Sequence, residues 1–289
     1  MDIKQKIIIK IINTFKKLID NRFFKKYIYL SFKSNKFILC GNKEYFVVNS
    51  SDHAIGKELF IKSEFGFDSI IKAFKIIKQN YKTISNYTLL DIGANIGSIS
   101  IPSVKRKFLK EAIAVEPNPE SYQLLNANVF INKLNNRIKT VKTCIGERER
   151  KIFLTLDKKN HGDNIISKTK PKNKKYVTSD SITLDELTKK FDKRKFIIKI
   201  DVQGSESLVL KYGKKTLLTK PPLILEFAVN LYQNKGFNEI IDSLLNAKYK
   251  YFYDLSENSQ NKTVLNYKNY FLKIKNLKAE DSITDLLFI

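Results

Sequence analysis

Three carboxylates stand at the ends of mainly apolar runs that are typical of buried strands. They are Asp91, Glu116 and Asp201. Because the carboxyl ends of parallel strands open onto one crevice, we expect these acids to surround a common ligand. Carboxylates in such a crevice can attract a cationic group, accept hydrogen bonds from ribose hydroxyls or remove a proton from a substrate.

The turn after Asp91 has the form Asp-x-Gly-x-Asn-x-Gly. Gly93 and Gly97 allow the backbone to approach a ligand, and the short Ala94 and Asn95 leave room beside it. A side chain at Gly97 is expected to fill space that the ligand needs. The pattern differs from Gly-x-Gly-x-x-Gly, the dinucleotide fingerprint in which a helix N-terminus holds a pyrophosphate. An acid at this turn therefore favours a ligand without phosphate.

S-adenosylmethionine is the ligand that these residues predict. Its cationic methionine end would be attracted by Asp91, and Glu116 would hold both ribose hydroxyls. Glu116 follows Gly97 by 19 residues, close to the roughly 20 expected between a glycine turn and a ribose-binding acid. Asn118 and Ile145, near the ends of successive predicted strands, complete the candidate donor-binding set.

The charged end of a third predicted strand supplies the candidates for catalysis. Lys199 and Asp201 stand two residues apart and so share one face of the strand, where their charges compensate each other. Asp201 is the first candidate for a general base, and Lys199 is the second if burial lowers its pKa. Glu206 could hold a divalent metal with Asp201, Glu226 is a further rim carboxylate, and His161 could act from a polar loop. The alternative is a purely structural ion pair.

Strands and helices alternate along the chain, which predicts an α/β fold with a doubly wound, mostly parallel sheet. A hairpin is predicted over 37–48 and a helix over Phe67–Lys78, before the first sheet strand. The strand-like pattern continues over Lys151–Leu156, and Thr183–Glu186 has the capping-box spacing that starts a short helix. Two final strands are predicted at Tyr249–Tyr253 and Tyr270–Ile274. The linker between them is too short for a crossover helix, so they are expected to be antiparallel, with one at the sheet edge.

The chain is predicted to divide into an N-terminal extension (1–65) and a catalytic domain (66–289). Residues 3–19 form a basic amphipathic pattern that suits a peripheral membrane contact or packing against the domain. The net charge of +24 could reflect an anionic partner, but the lysines are spread along the chain. No apolar run approaches the roughly 18 residues of a membrane span, so we expect a cytoplasmic protein, peripheral to the membrane at most.

The chain resembles the FkbM-like family of class I S-adenosylmethionine-dependent methyltransferases from about residue 88 to about residue 227. The segments that carry this resemblance are Leu90–Gly97, Val115–Pro119, Ile182–Leu187 and Ile198–Glu206. The resemblance implies a seven-stranded, Rossmann-like sheet with a reversed final strand. It also implies O-methylation of a hydroxyl, on a sugar, a glycan or a secondary metabolite. Gln203 departs from the family, which more often has Glu at this position.

Two other functions compete with this interpretation. Residues 201–204 are Asp-Val-Gln-Gly, whereas enzymes that methylate the exocyclic amines of bases have an Asn/Asp-Pro-Pro-aromatic turn in this position. This difference argues against methylation of an amine but not of a ribose hydroxyl, so an RNA ribose methyltransferase stays open, although a nucleic-acid partner is not expected. A non-catalytic or NAD-binding protein with the same fold is the second alternative. The expected partner is a small-molecule or glycan acceptor, and the oligomeric state is left open.

Overall fold

The computed structural model describes most of the chain in segments. The described residues are 10, 13–14, 17, 20–32, 36–81, 83–156, 165–172, 175–191, 195–228, 231, 234–249, 251–255, 263–264 and 283–289. The helices are α1 (Arg22–Ser31), α2 (Ile55–Lys62), α3 (Phe67–Asn80), α4 (Ser100–Lys105), α5 (Pro119–Ile131), α6 (Leu184–Lys189), α7 (Glu206–Lys211), α8 (Lys214–Leu218) and α9 (Asn234–Ala247). The predicted helix over 67–78 is confirmed as α3.

The strands form a hairpin and two larger sheets. They are β1 (Phe37–Gly41), β2 (Tyr45–Asn49), β3 (Tyr87–Ile92), β4 (Glu111–Val115), β5 (Ile138–Val141), β6 (Cys144–Ile145), β7 (Glu149–Thr155), β8 (Ile165–Ser167), β9 (Tyr176–Ile182), β10 (Lys195–Ile200), β11 (Leu223–Ala228), β12 (Tyr251–Asp254), β13 (Thr263–Val264) and β14 (Ile283–Phe288). The hairpin prediction is confirmed, because β1 and β2 pair antiparallel.

The central sheet has the strand order β13-β12-β14-β11-β10-β3-β4-β5. Its five strands from β11 to β5 are parallel, and helices connect them, so the predicted doubly wound α/β fold is confirmed. The order reverses between β3 and β10. Parallel sheets bind ligands outside the strand ends at such a reversal.

The last strands of the chain are arranged differently from the prediction. β12 lies where a late strand was expected, but the reversed strand is β14, which is inserted antiparallel between β11 and β12. The predicted strand at 270–274 lies outside the described residues. β14 is hard to find in the sequence because its last three side chains, Leu286 to Phe288, are all buried and give no alternating pattern. The two-residue β13 adds an eighth strand to the expected seven.

The second sheet has four strands in the order β6-β9-β7-β8 and follows β5 in the chain. The sequence showed β7 as a strand but not the separate sheet to which it belongs. Thr183 and Glu186 form the predicted capping box at the start of α6, after β9. This sheet stands beside the central one and contributes Leu154 and Ile166 to the cavity described below.

The predicted N-terminal extension shares a hydrophobic core with the sheet. Tyr29, Phe46 and Leu59 belong to the same buried cluster as Leu89 and Ala112. The cluster on the other face of the sheet is built from β10, β11 and the helices α7 to α9. Among the described helices, none is long and apolar enough to cross a bilayer. The predicted basic helix at 3–19 lies mostly outside the described residues.

Polar contacts also hold the hairpin to α5. The Asn128 side chain accepts a hydrogen bond from the Val47 backbone N–H (2.6 Å), and that of Asn132 accepts one from Tyr45 (3.1 Å). Both asparagines are buried; Asn128 lies on α5 and Asn132 caps its C-terminus. These side chains satisfy backbone groups of β2 that would otherwise be costly to bury.

A partly buried ion cluster ties the hairpin to α4. Arg106 binds Glu44 (2.8 Å) and Glu64 (2.6 Å), and the Glu44 side chain is only 2% exposed. Arg106→Ala would leave this carboxylate buried without its partner, so we expect the free energy of unfolding to fall by about 2 kcal/mol. Urea denaturation measures this loss.

Arg148→Ala is the matched control for this variant. The Arg148 side chain is 78% exposed and binds Glu186 at 2.8 Å. Exposed pairs contribute at most about 1 kcal/mol, because water screens them. Equal losses of unfolding free energy for the two variants would show that the Arg106 cluster stabilises the protein no more than an exposed ion pair does.

Candidate functional site

A cavity of about 350 Å³ opens where β3, β4, β10 and β11 end. The predicted site residues that line it are Gly93, Asn95, Glu116, Ile145, Asp201 and Glu226. The predicted residues that lie outside its lining are Asp91, Ala94, Gly97, Asn118, Lys199 and Glu206. The structure thus brings together the carboxyl ends of β3, β4 and β10. Several of the predicted residues, however, lie behind the residues that line the cavity.

Both glycines of the turn after β3 have a positive φ, 87° for Gly93 and 93° for Gly97. A Cβ at Gly93 would lie 1.8 Å from the carbonyl oxygen of Asp201. A Cβ at Gly97 would meet Ile101 (2.8 Å) and Leu125 (3.0 Å). The expectation that a side chain at Gly97 would fill the ligand space is therefore wrong, because that direction points into the packed interior.

Glu116 is a buried carboxylate held by the backbone. Its Oε2 accepts from the Asn95 N–H (2.9 Å) and its Oε1 from the Asn118 N–H (2.8 Å). Burial raises the pKa of Glu116 to about 7, although these two hydrogen bonds oppose the rise. Carboxylate oxygens have further acceptor sites, so Glu116 can still bind two hydroxyls.

The side chain of Asn118 has a structural role. It caps α5 by accepting from the N–H of Glu120 (2.9 Å), while its own N–H fixes Glu116. Ala94 is buried in the core cluster beneath the turn. Neither residue lines the cavity, and the place of Asn118 and Ala94 in the donor-binding set stays a prediction.

Asp91 lies fully buried behind the cavity wall. Its Oδ2 accepts from the Ser100 hydroxyl (2.6 Å), and its Oδ1 has no hydrogen-bond partner in the described part of the chain. Burial raises the pKa of Asp91, whereas the Lys199 ammonium and Ser100 act to lower it. A cationic ligand near the turn would compensate this carboxylate.

Lys199 and Asp201 form a close ion pair, with 2.9 Å between Nζ and Oδ2. Burial alone would lower the pKa of Lys199, but the carboxylates of Asp201, Asp91 and Asp285 raise it above its usual range. The hypothesis that burial makes Lys199 a base is therefore wrong, because it stays an ammonium. Burial also opposes the charge on Asp201, yet Lys199 outweighs it and lowers the pKa of Asp201.

Gln203 joins two carboxyl groups in the cavity. Its Nε2 donates to Asp201 Oδ1 (2.9 Å) and to Glu226 Oε2 (3.0 Å). Burial and the neighbouring Asp201 raise the pKa of Glu226 to about 9. Glu226 therefore carries a proton at neutral pH and donates it in a hydrogen bond to Asp201. The amide at 203 links these groups without adding a third charge.

Glu206 turns away from the cavity. Its Oε1 accepts from the Val202 N–H (2.9 Å), so it shapes the loop between β10 and α7. Within the described segments, no group of three or more His, Cys, Asp and Glu side chains is arranged to hold a metal ion. The predicted metal pair of Asp201 and Glu206 therefore gains no support from the geometry. His161 lies outside the described residues.

Apolar walls of the cavity were missed by the sequence analysis. Ala54, Ile55 and Phe65 come from the predicted N-terminal extension, and Leu154 and Ile166 come from the second sheet. Ordinary apolar residues carry no chemical signal in a sequence, and only the fold brings them to the strand ends. The extension is thus part of the site.

The cavity is lined by acidic side chains, although the chain as a whole is basic. Glu116, Asp201 and Glu226 line it, the last of them protonated at neutral pH, and among the described residues no Lys or Arg does. The chain as a whole carries +24. A cavity of this kind suits a cationic or neutral ligand better than an anion.

Comparison with solved structures finds methyltransferases at low sequence identity. A methyltransferase FkbM from Methylobacillus flagellatus KT has 16% identity and a TM-score of 0.47, over 81% of this chain and 52% of that one. The chain thus spans about half the length of that protein. M. jannaschii TYW2 in complex with AdoMet has 12% identity and a TM-score of 0.41, over 89% and 86% of the two chains. No curated protein sequence matches the chain.

A family model gives the stronger evidence. The methyltransferase FkbM domain matches residues 91–251, which is more than half of the 289-residue chain. The match begins at Asp91 and includes Glu116, Asp201 and Glu226. The chain therefore belongs to the methyltransferase FkbM family.

Proposed function

We propose that the chain transfers the methyl group of S-adenosylmethionine to a hydroxyl of a neutral acceptor, namely a sugar, a glycan or a secondary metabolite. The observation that carries this proposal is the position of Asp201. It lines the cavity as a carboxylate, its side chain is 29% exposed, and it lies beside the donor-binding turn. A base in this position can accept the proton of a hydroxyl during methyl transfer.

The residues of the cavity fit the methyl donor. Glu116 would accept hydrogen bonds from its ribose, and Ile145 would pack against its adenine. Gly93 and Asn95 line the same cavity and would lie beside the bound donor. The unpaired Oδ1 of Asp91 lies behind the turn as a source of negative potential for a cation. The donor supplies an electrophilic methyl group that leaves its sulfonium sulfur for the acceptor oxygen.

The groups around Asp201 prepare it to act as a base. Lys199 keeps Asp201 ionised, and Gln203 fixes the orientation of its other oxygen. Asp201 takes the hydroxyl proton as the acceptor oxygen forms its bond to the methyl carbon. Protonated Glu226 stays a hydrogen-bond donor through this step. Asp201 then releases its proton to water after the methyl ether leaves.

The acidic cavity favours a neutral acceptor over a nucleic acid. Lys and Arg provide most of the binding energy for nucleic-acid phosphates, and the described lining contains neither. A phosphate beside Asp201 and Glu116 would be repelled. Ribose methylation of RNA would require the phosphates to stay outside this cavity.

Methyl transfer from a methyl-labelled donor tests the proposed function. The acceptor panel contains neutral glycosides and hydroxylated aromatic compounds in one arm and total RNA in the other. We expect label in the first arm, as an ether stable to mild base, together with release of S-adenosylhomocysteine. Label confined to RNA would overturn the proposal of a neutral acceptor.

Glu116→Ala is expected to weaken donor binding. Loss of charge-assisted hydrogen bonds to two hydroxyls costs about 1.5–3 kcal/mol, which is about ten- to a hundredfold in the dissociation constant. Calorimetric titration with S-adenosylmethionine measures the change. Glu147→Ala removes an exposed carboxylate that does not line the cavity and serves as the control. An unchanged dissociation constant for Glu116→Ala would exclude Glu116 from the donor site.

A further inference from the structure

Helix α1 presents an apolar stripe to solvent. Phe23 is 83% exposed, Tyr27 is 73% exposed and Leu30 is 52% exposed. Their spacing of four and three residues places them on one face of the helix. Large apolar residues that are exposed together, rather than singly, mark an interaction surface.

The opposite side of α1 is anchored in the protein. Tyr29 is 1% exposed, its hydroxyl donates to the Asp52 carbonyl (2.6 Å), and its ring lies 5.4 Å from that of Phe60. Asn21 caps the helix by accepting from the N–H groups of Phe23 and Phe24. The orientation of α1 is therefore set by packing, and the stripe faces outward.

The hairpin next in the chain also exposes large apolar side chains. Phe37 and Leu39 on β1 are each 64% exposed, and Tyr45 on β2 is 47% exposed. Phe37 and Leu39 are two residues apart and so project from one face of the strand. We call these three residues together with Phe23, Tyr27 and Leu30 the α1–hairpin surface.

The charge of this region has one sign. Between residues 22 and 48 the sequence has six Lys and Arg residues and a single acid, Glu44. Glu44 is 2% exposed and is neutralised by Arg106. Asp20, just before α1, pairs with Lys25 (3.9 Å), whereas Arg22, Lys26, Lys36 and Lys43 are exposed, so the region presents a net positive charge to solvent.

We propose that the α1–hairpin surface binds the surface of an anionic lipid bilayer. Aromatic and leucine side chains would enter the interface between headgroups and acyl chains, and the exposed basic residues would contact lipid phosphates. Two copies of the chain would bring like charges together at this surface, which disfavours self-association.

Co-sedimentation with lipid vesicles tests this proposal on the full chain. We expect binding to phosphatidylcholine vesicles that contain phosphatidylglycerol, and at least about tenfold weaker binding to phosphatidylcholine alone. Raised salt should weaken the binding to anionic vesicles, because the charges are exposed. Equal binding to both vesicle types would overturn the proposed role of the basic residues.

Variants on two faces of the protein distinguish vesicle binding through the α1–hairpin surface from non-specific adsorption. The triple variant Phe23→Ser, Tyr27→Ser, Leu30→Ser should lose at least about tenfold in vesicle binding, while titration with S-adenosylmethionine shows an unchanged donor site. The control is Leu218→Ser with Leu245→Ser, since these residues are 63% and 46% exposed and lie on α8 and α9, over the other face of the sheet. The control should bind vesicles like the parent.

Two results would overturn the proposal. One is equal loss of vesicle binding in the triple variant and the control. The other is parental vesicle binding by the triple variant; a change in its oligomeric state by sedimentation velocity would then assign the stripe to a contact between copies.

Discussion

Asp201→Asn is expected to lower turnover by about 10²- to 10⁴-fold, the usual contribution of a positioned base, while the dissociation constant of S-adenosylmethionine stays nearly unchanged. The amide keeps the shape of Asp201 and can still accept from Gln203, which donates to Oδ1 at 2.9 Å. It cannot take a proton at neutral pH. Steady-state kinetics on an acceptor from the methylation panel measures the loss.

Glu226→Gln is the matched variant for Asp201→Asn. Glu226 already carries a proton, so its replacement by an amide removes little charge, and we expect turnover to fall less than about tenfold. A thermal melt of each variant checks that the Lys199 ion pair has not been lost with the fold. Normal turnover by Asp201→Asn, or a larger loss for Glu226→Gln, would exclude Asp201 as the base.

Gly93→Ala is expected to lower the free energy of unfolding by about 3–4 kcal/mol and to abolish measurable donor binding. The new Cβ would lie 1.8 Å from the Asp201 carbonyl oxygen, and φ at this position is +87°. Strain of this kind costs about 1–3 kcal/mol, and the overlap with backbone atoms adds to it. The ends of β3 and β10 would have to separate, which would disturb the turn and Asp201 together.

Gly146→Ala is the control for this effect. A Cβ there would meet Leu208 at 3.5 Å, an ordinary van der Waals contact, so we expect a change of no more than about 1 kcal/mol. Urea denaturation compares the two variants. A Gly93→Ala protein as stable as the parent would mean that the two strand ends do not approach so closely.

The sequence predicted those elements in which the hydrophobic pattern and the functional residues occur in the same short segment. The strands before Asp91, Glu116 and Asp201 are buried apolar runs, so both their type and their carboxyl ends could be found from the residues alone. Thr183 and Glu186 were recognised as a capping box, because that contact depends only on a spacing of three residues.

Other features depend on tertiary context and could not be predicted. The chemistry of Lys199 depends on Asp91, which is 108 residues away in the sequence and pairs with it across adjacent strands. A Cβ at Gly97 would point toward Leu125 of α5, and this neighbour is known only from the fold. The apolar walls at Phe65 and Ile166 come from segments with no signal of function.

Calorimetric titration of the purified full chain with S-adenosylmethionine, and in parallel with NAD, tests most directly whether the cavity between Glu116 and Asp201 holds a methyl donor. We expect one molecule of S-adenosylmethionine bound per chain, weaker binding by Glu116→Ala, nearly parental binding by Asp201→Asn, and no heat of binding with NAD. Saturable binding of NAD without binding of S-adenosylmethionine would contradict a methyl-donor site in this cavity.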